Sequence, residues 1–321
     1  MYMQITRSIA NQLVSVLDEL QEQLKGKSKS PYPYKEWEQK RELVKQRIRK
    51  LPEYVEQAAS MITTNKPTGR PKNGDLTKRT LIFLFARLMN KSNRDTEHLL
   101  EIFFPFFGVR MSYKSVERLY SDPEVQATLH NLFVLLLQDE DISGDCAGDG
   151  TGYSLSVTKH YRTTPEKRSK DYRYAFRIID TRTGMYVGMG YSAVSEMQAF
   201  HQAREMAERI GVSITKIRLD KYYSSRKVLE LFGPGVEVVV IPKKDDARIG
   251  LLWSRVYRRI MESPVGYLRD YYKRNLSEGG FSSDKIRFGG MIRQKREDRQ
   301  ETALFSIGLL HNLFFVRVYP G

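Results

Sequence analysis

Tyr271, Arg274, Glu278 and Lys285 are spaced Y-x2-R-x3-E-x6-K. On a helix, steps of three, four and seven residues fall on nearly one face. A ring, a guanidinium, a carboxylate and an ammonium would then look the same way. A carboxylate among cations suits a site that holds a metal ion against a phosphate backbone. It equally suits a solvated helix face with i,i+3 and i,i+4 ion pairs. Gly279 and Gly280 directly follow the glutamate and are poor helix material. The helix could therefore end at Glu278, which would take Lys285 off the shared face.

Other acids would have to come from elsewhere in the chain, and the elements around them indicate how. From about residue 141 glycine and β-branched residues rise and short strand-like runs appear. Ser143–Val157 reads as a strand and turn containing Asp145 and Asp149. Tyr174–Thr181 and Gly184–Ser192 read as two strands joined by a tight turn. Ser195–Ile210 reads as a helix, Ser213–Asp220 as a strand ending on an acid, Ser224–Phe232 as a helix and Val236–Pro242 as a buried strand. Leu304–Val318 is apolar enough to be a helix packed on the sheet. Three strands that pair as a meander, followed by strands alternating with helices, predict a mixed α/β sheet with helices on its faces. A ribonuclease-H-like core has that order.

Such a core would place Asp149 on its first strand, Asp220 at the tip of its fourth and Glu278 on a later helix. Carboxylate oxygens are the right ligands for Mg2+ or Mn2+. Two such ions about 3.5–4 Å apart can activate a water or a 3′-hydroxyl and stabilise the leaving oxygen of a phosphodiester. Asp145 competes with Asp149, because four residues along a straight strand both point to one side. The context Asp149-Gly150-Thr151-Gly152 favours Asp149.

The chain before this region reads as helical. Ile9, Leu13, Val16, Leu17 and Leu20 recur at helical spacing, and Lys35–Lys50 is a second, charge-dense helix ended by Pro52. Residues 1–64 form a helical arm and residues 65–75 a basic linker with two prolines and two glycines. In that linker Gly69-Arg70-Pro71 is similar to the core of a minor-groove hook, though a plain basic linker is the simpler reading. Residues 76–140 read as a helical unit and 141–321 as the mixed α/β unit. In the helical unit Asp75 would cap Leu76–Asn90, Ser92 would open a helix to about Phe107, and a third helix after Ser112 would carry Lys114 and Arg118. A basic third helix suits a helix-turn-helix reader of DNA. A helical packing unit with no groove contacts fits the sequence equally well.

Composition sets the class of partner. The 321 residues are 40% hydrophobic and 28% charged, with 53 Lys+Arg against 38 Asp+Glu and a formal net charge of +15. Such a chain can bury a core, and its excess of cations suits a polyanion, nucleic acid before membrane. The one cysteine, Cys146, rules out a disulfide framework or a cysteine-based zinc site within the chain. The five histidines are scattered and form no i,i+4 ligand pair. Trp37 and Trp253 read as core or packing residues. With no signal-like or membrane-length apolar run, the sequence points to a cytoplasmic protein with access to the nucleoid.

The motifs together resemble those of the DDE transposases of bacterial and archaeal insertion sequences, in the branch marked by a Y-R-E-K signature. Tyr271, Arg274, Glu278 and Lys285 match that signature without a change in spacing. Asp149-Gly150-Thr151-Gly152 resembles the first-aspartate motif, and Asp220-Lys221-Tyr222-Tyr223-Ser224-Ser225 the second. The resemblance covers about residues 145–318. It implies that Asp149, Asp220 and Glu278 are the catalytic metal-binding triad for two Mg2+ or Mn2+ ions. It also implies that Tyr271, Arg274 and Lys285 contact phosphates of the transposon end. The partners implied are the terminal inverted repeats, target DNA and a second copy of the chain in a synaptic complex. The stretch between Asp220 and Glu278 leaves little room for the large β insertion some relatives carry. A DNA-binding relative without catalysis, or a structure-selective nuclease on the same core, are the competing expectations.

Overall fold

The computed structural model of the chain describes residues 5–24, 34–63, 72–155, 172–243 and 249–315. Arg70 and His160 lie outside them, so the expected minor-groove hook has no structural description. Helices come first: α1 (Arg7–Leu24), α2 (Tyr34–Arg49), α3 (Leu51–Ser60), α4 (Leu76–Met89), α5 (Asn93–Ile102), α6 (Phe104–Phe107), α7 (Tyr113–Leu119) and α8 (Pro123–Gln138). Pro52, expected only to end α2, stands in the first turn of α3, where a missing N–H costs nothing. Asp75, Ser92 and Ser112 accept hydrogen bonds from the backbone N–H groups of Lys78, Asp95 and Ser115, capping α4, α5 and α7. The helix expected from Ser92 to Phe107 divides at Phe103, with Pro105 in the first turn of the new piece.

Then come β1 (Asp145–Leu155), β2 (Tyr172–Asp180), β3 (Tyr186–Ser192), α9 (Glu196–Arg209), β4 (Lys216–Leu219), α10 (Arg226–Leu231) and β5 (Glu237–Val239). The chain closes with α11 (Leu251–Glu262), α12 (Pro264–Tyr271), α13 (Asn275–Phe288), β6 (Met291–Ile292) and α14 (Glu297–Phe314). The strands form one mixed sheet in the order β3-β2-β1-β4-β5, with β6 added to the far end of β1. β1, β2 and β3 are antiparallel neighbours, whereas β4 and β6 run parallel to β1 and β5 parallel to β4. The short β6 had no sequence signal, since two residues carry no period.

Helices cover the sheet. α9 packs on β2 and β3, while α13 packs on β1 and β2, and α14 on β3. α9 comes very close because Ala199, Ala203 and Ala207 line its inner side and β3 offers glycine. A Cβ on Gly190 would lie 1.9 Å from the Ala199 carbonyl oxygen. The N-terminal helices join the same core: α1 lies against α11 and α12, α2 and α8 against α14, and α4 against α13 and α14. Trp253 is buried as expected. Trp37 is a correction, because it sits 43% exposed on α2 with the Arg41 guanidinium over its ring.

Candidate functional site

β1 is the central strand, and its side chains alternate between the faces of the sheet. Asp149 pairs in register with Arg177 of β2, and both face α13. β4 ends at Leu219, so Asp220 stands just past the strand tip, where its carboxylate accepts from the Tyr222 N–H and caps a short 3-10 turn, Lys221–Tyr223. Glu278 lies in the first turn of α13.

Tyr271, Arg274, Glu278 and Lys285 do not share one continuous helix. Tyr271 ends α12, Arg274 closes a 3-10 turn (Tyr272–Arg274), and the other two lie on α13. All four still look toward β1 and Asp220. Tyr271 Oη donates to Asp220 Oδ1 at 3.4 Å. Arg274 Nη2 stands 3.5 Å from Asp220 Oδ1, and Nη1 is 2.7 Å from Glu278 Oε1. Lys285 Nζ donates to Thr151 Oγ1 at 2.7 Å, two residues along β1 from Asp149.

Gly279 and Gly280 do not end the helix. α13 runs through them to Phe288. Gly280 faces the sheet, and a Cβ there would meet the Tyr186 hydroxyl at 2.6 Å. The intrinsic cost of two glycines, about 1 kcal/mol each, is offset by anchors further along. Asp284 is fully buried and receives Arg177, the Tyr186 hydroxyl at 2.9 Å and His311 Nδ1 at 2.7 Å. That cluster ties α13 to β2, β3 and α14, and so sets where Glu278 and Lys285 stand.

The electrostatics follow from this crowding. Burial pushes the Asp149 carboxyl up to about 6; Glu278 and Asp220 add to the rise, while the Gly150 N–H and Arg274 oppose it. Burial works against the Arg274 charge, but Tyr271, Glu278, Asp220 and Asp149 more than compensate and raise its pKa. Burial, with Arg177 nearby, lowers the pKa of Lys285, and burial raises the Tyr271 hydroxyl to about 12. Asp145 is occupied elsewhere: the fully buried Arg218 joins it to Asp270 of α12. The alternation of β1 could not separate Asp145 from Asp149, and this ion pair does.

The donor set has the chemistry of a hard-cation site, with three carboxylates around one cation and no soft ligand. That cation is the Arg274 guanidinium, which pairs with Asp220 and Glu278 and feels the charge of Asp149. Among the described residues, no three Asp, Glu, His or Cys side chains stand close enough to hold a single metal ion. Lys114 and Arg118 are elsewhere, exposed one turn apart on α7, where they line an open groove with Lys72 and Ser115. Glu196, which the sequence did not single out, lies beside Gly150; it belongs to no motif.

A probable transposase for insertion sequence element ISA1214, from Archaeoglobus fulgidus, is 60% identical to the chain over 314 residues, covering 98% of each protein. No protein-family model matches the chain, and no solved structure does. Among the described residues no helix is long and apolar enough to cross a membrane.

Proposed function

We propose that this chain, which belongs to the transposases of insertion sequence elements, cuts the ends of its element by metal-dependent hydrolysis and joins the 3′-hydroxyls to target DNA. The observation that carries this reading is the gathering of Asp149, Asp220 and Glu278 around Arg274. A mixed sheet with the strand order of a ribonuclease-H-like core, and the match to the Y-R-E-K signature, support assignment to the DDE branch.

Asp149, Asp220 and Glu278 would hold the Mg2+ or Mn2+ ions, which when bound supply Lewis-acid stabilisation of the scissile phosphate. The remaining roles belong to the protein. Arg274 is shared between two carboxylates and offers its guanidinium to a phosphate, for which its planar fork is well shaped. Lys285 keeps a partly desolvated ammonium on the same strip of β1, where it would hold a second phosphate. Tyr271 orients Asp220 through its hydroxyl. Lys114 and Arg118 would follow the backbone of the terminal inverted repeat, and Arg70 would join them from the linker. Two ends must be brought together, so the working form is at least a homodimer.

The test is strand cleavage of a DNA fragment spanning the ends of the encoding element, run with Mg2+, with EDTA, and with Asp220→Asn and Glu278→Gln. Nicks at the repeat boundary that need metal and disappear in both variants, with DNA binding retained, are expected. Equal cleavage by either variant would refute the triad. The pairing of Arg274 with both Asp220 and Glu278 favours one second reading, a DNA-binding relative without catalysis. It predicts binding to the repeats and no cleavage in either Mg2+ or Mn2+.

A further inference from the structure

The pairing of β1 leaves one question about Asp220. The ladder between β1 and β4 ends at Gly148 and Leu219, and β6 joins β1 only from Ser154. Between them the edge of β1 has no strand partner among the described residues. Asp220 therefore lies just beyond the last ladder pair, opposite the acid it must work with. The backbone ladder does not fix the distance from Asp149 to Asp220.

A side-chain tie spans that gap. Tyr223, three residues after Asp220, is fully buried between the rings of Phe176 and Phe200, with centroids 5.2 Å and 5.1 Å away. Its hydroxyl donates to Glu196 Oε1 at 2.6 Å. Glu196 is the first residue of α9, after the Ser195 cap. That carboxylate rests on Gly150: a Cβ there would fall 2.1 Å from Glu196 Cδ and 2.4 Å from Oε1. Only glycine next to Asp149 allows this contact. Successive strand residues face opposite ways, so Glu196 meets β1 from the side away from the Asp149 carboxylate.

We propose that Glu196 is a positioning residue for strand cleavage. Its carboxylate clamps the turn after Asp220, through Tyr223, onto the strand that carries Asp149, and so sets the spacing of the two aspartates. The role rests on the proposed cleavage reaction, but the clamp itself does not. Glu196 accepts a hydrogen bond here; it does not enter the acid cluster.

The experiment uses the full chain with Glu196→Gln, Glu196→Ala, Tyr223→Phe and the double variant Glu196→Ala/Tyr223→Phe. It reads amide hydrogen exchange in residues 219–224, binding to element-end DNA, and cleavage in Mg2+. Glu196→Ala and Tyr223→Phe should each raise exchange in the turn about tenfold, matching the net worth of one hydrogen bond. Each should slow cleavage about a hundredfold, the effect of a misplaced reacting group, with DNA affinity unchanged. The double variant should be no worse than either single one, because both cut the same tie. Glu196→Gln keeps an acceptor of the same shape and should stay near the wild type. Unchanged exchange in Glu196→Ala or Tyr223→Phe, additive losses in the double variant, or a Glu196→Gln enzyme as impaired as Glu196→Ala would each overturn the proposal. If the wild type cleaves nothing while exchange follows this pattern, the clamp stands and the proposed reaction fails.

Discussion

Asp149→Asn should stabilise the metal-free protein, and by an amount that depends on pH. The Asp149 carboxyl is raised from its ordinary 3.8 to about 6, chiefly by burial. Between those values the folded chain keeps a proton that the unfolded chain has released. Native stability therefore falls as pH rises through this window, and the full cost is present only above about pH 6. A rise of this size corresponds to roughly 3 kcal/mol at pH 8 and about half of that at pH 5. Asparagine keeps the shape and removes the charge, but accepts the Gly150 N–H more weakly. A net gain of about 1–3 kcal/mol at pH 8 is expected, a rise of roughly 2–4 °C in melting temperature for a chain of this length. The assay is thermal unfolding of both proteins in EDTA at pH 8 and pH 5, repeated at pH 8 with Mg2+. The variant should lead clearly at pH 8, lead by less at pH 5, and lose its lead when Mg2+ stabilises the wild type alone. A variant no more stable than the wild type at pH 8 would refute the claim that Asp149 is held charged at a cost until a cation arrives.

Other parts of the structure make further predictions. Asp284→Ala strands the fully buried Arg177, so urea unfolding should show a loss of about 3–5 kcal/mol; a loss under about 1 kcal/mol would mean that water reaches the guanidinium. Gly190→Ala forces a methyl group onto the Ala199 carbonyl and should cost about 1–3 kcal/mol through overpacking between β3 and α9, read by the same unfolding curves. Lys114→Ala and Arg118→Ala should weaken binding to repeat DNA, each lowering the slope of log affinity against log salt by about 0.9 if it neutralises one phosphate. An unchanged slope would assign α7 to packing and remove it from the DNA interface.

The candidate site is legible in the sequence where it rests on residue type and short spacings. Asp149, Asp220 and the four residues from Tyr271 to Lys285 are singled out by residue type and spacing, and the structure brings the other five, from the tip of β4 and from helical elements, to the β1 strand that carries Asp149. The capped starts of α4, α5 and α7 were legible for a similar reason, since a cap is made by residues adjacent in the chain. Three features were not legible. The continuation of α13 through Gly279-Gly280 depends on Asp284 reaching Arg177 and His311, which come from β2 and α14. The engagement of Asp145 in an ion pair depends on Arg218, buried one strand away. Glu196 carries no local pattern, and its position shows only when Gly150 and Tyr223 close around it.

By itself, then, the sequence determined which acids and cations are present at the candidate site, the alternation of strands and helices that carries them, and the excess of cations that suits a polyanion. These rest on residue type and on short-range geometry, which survive in one dimension. The tertiary structure alone decided that Asp145 is spent in an ion pair, how far the glutamate helix runs, and that an arginine stands between Asp220 and Glu278. Each of these depends on contacts between residues distant in the chain, with burial setting their energies, and no periodicity encodes such contacts.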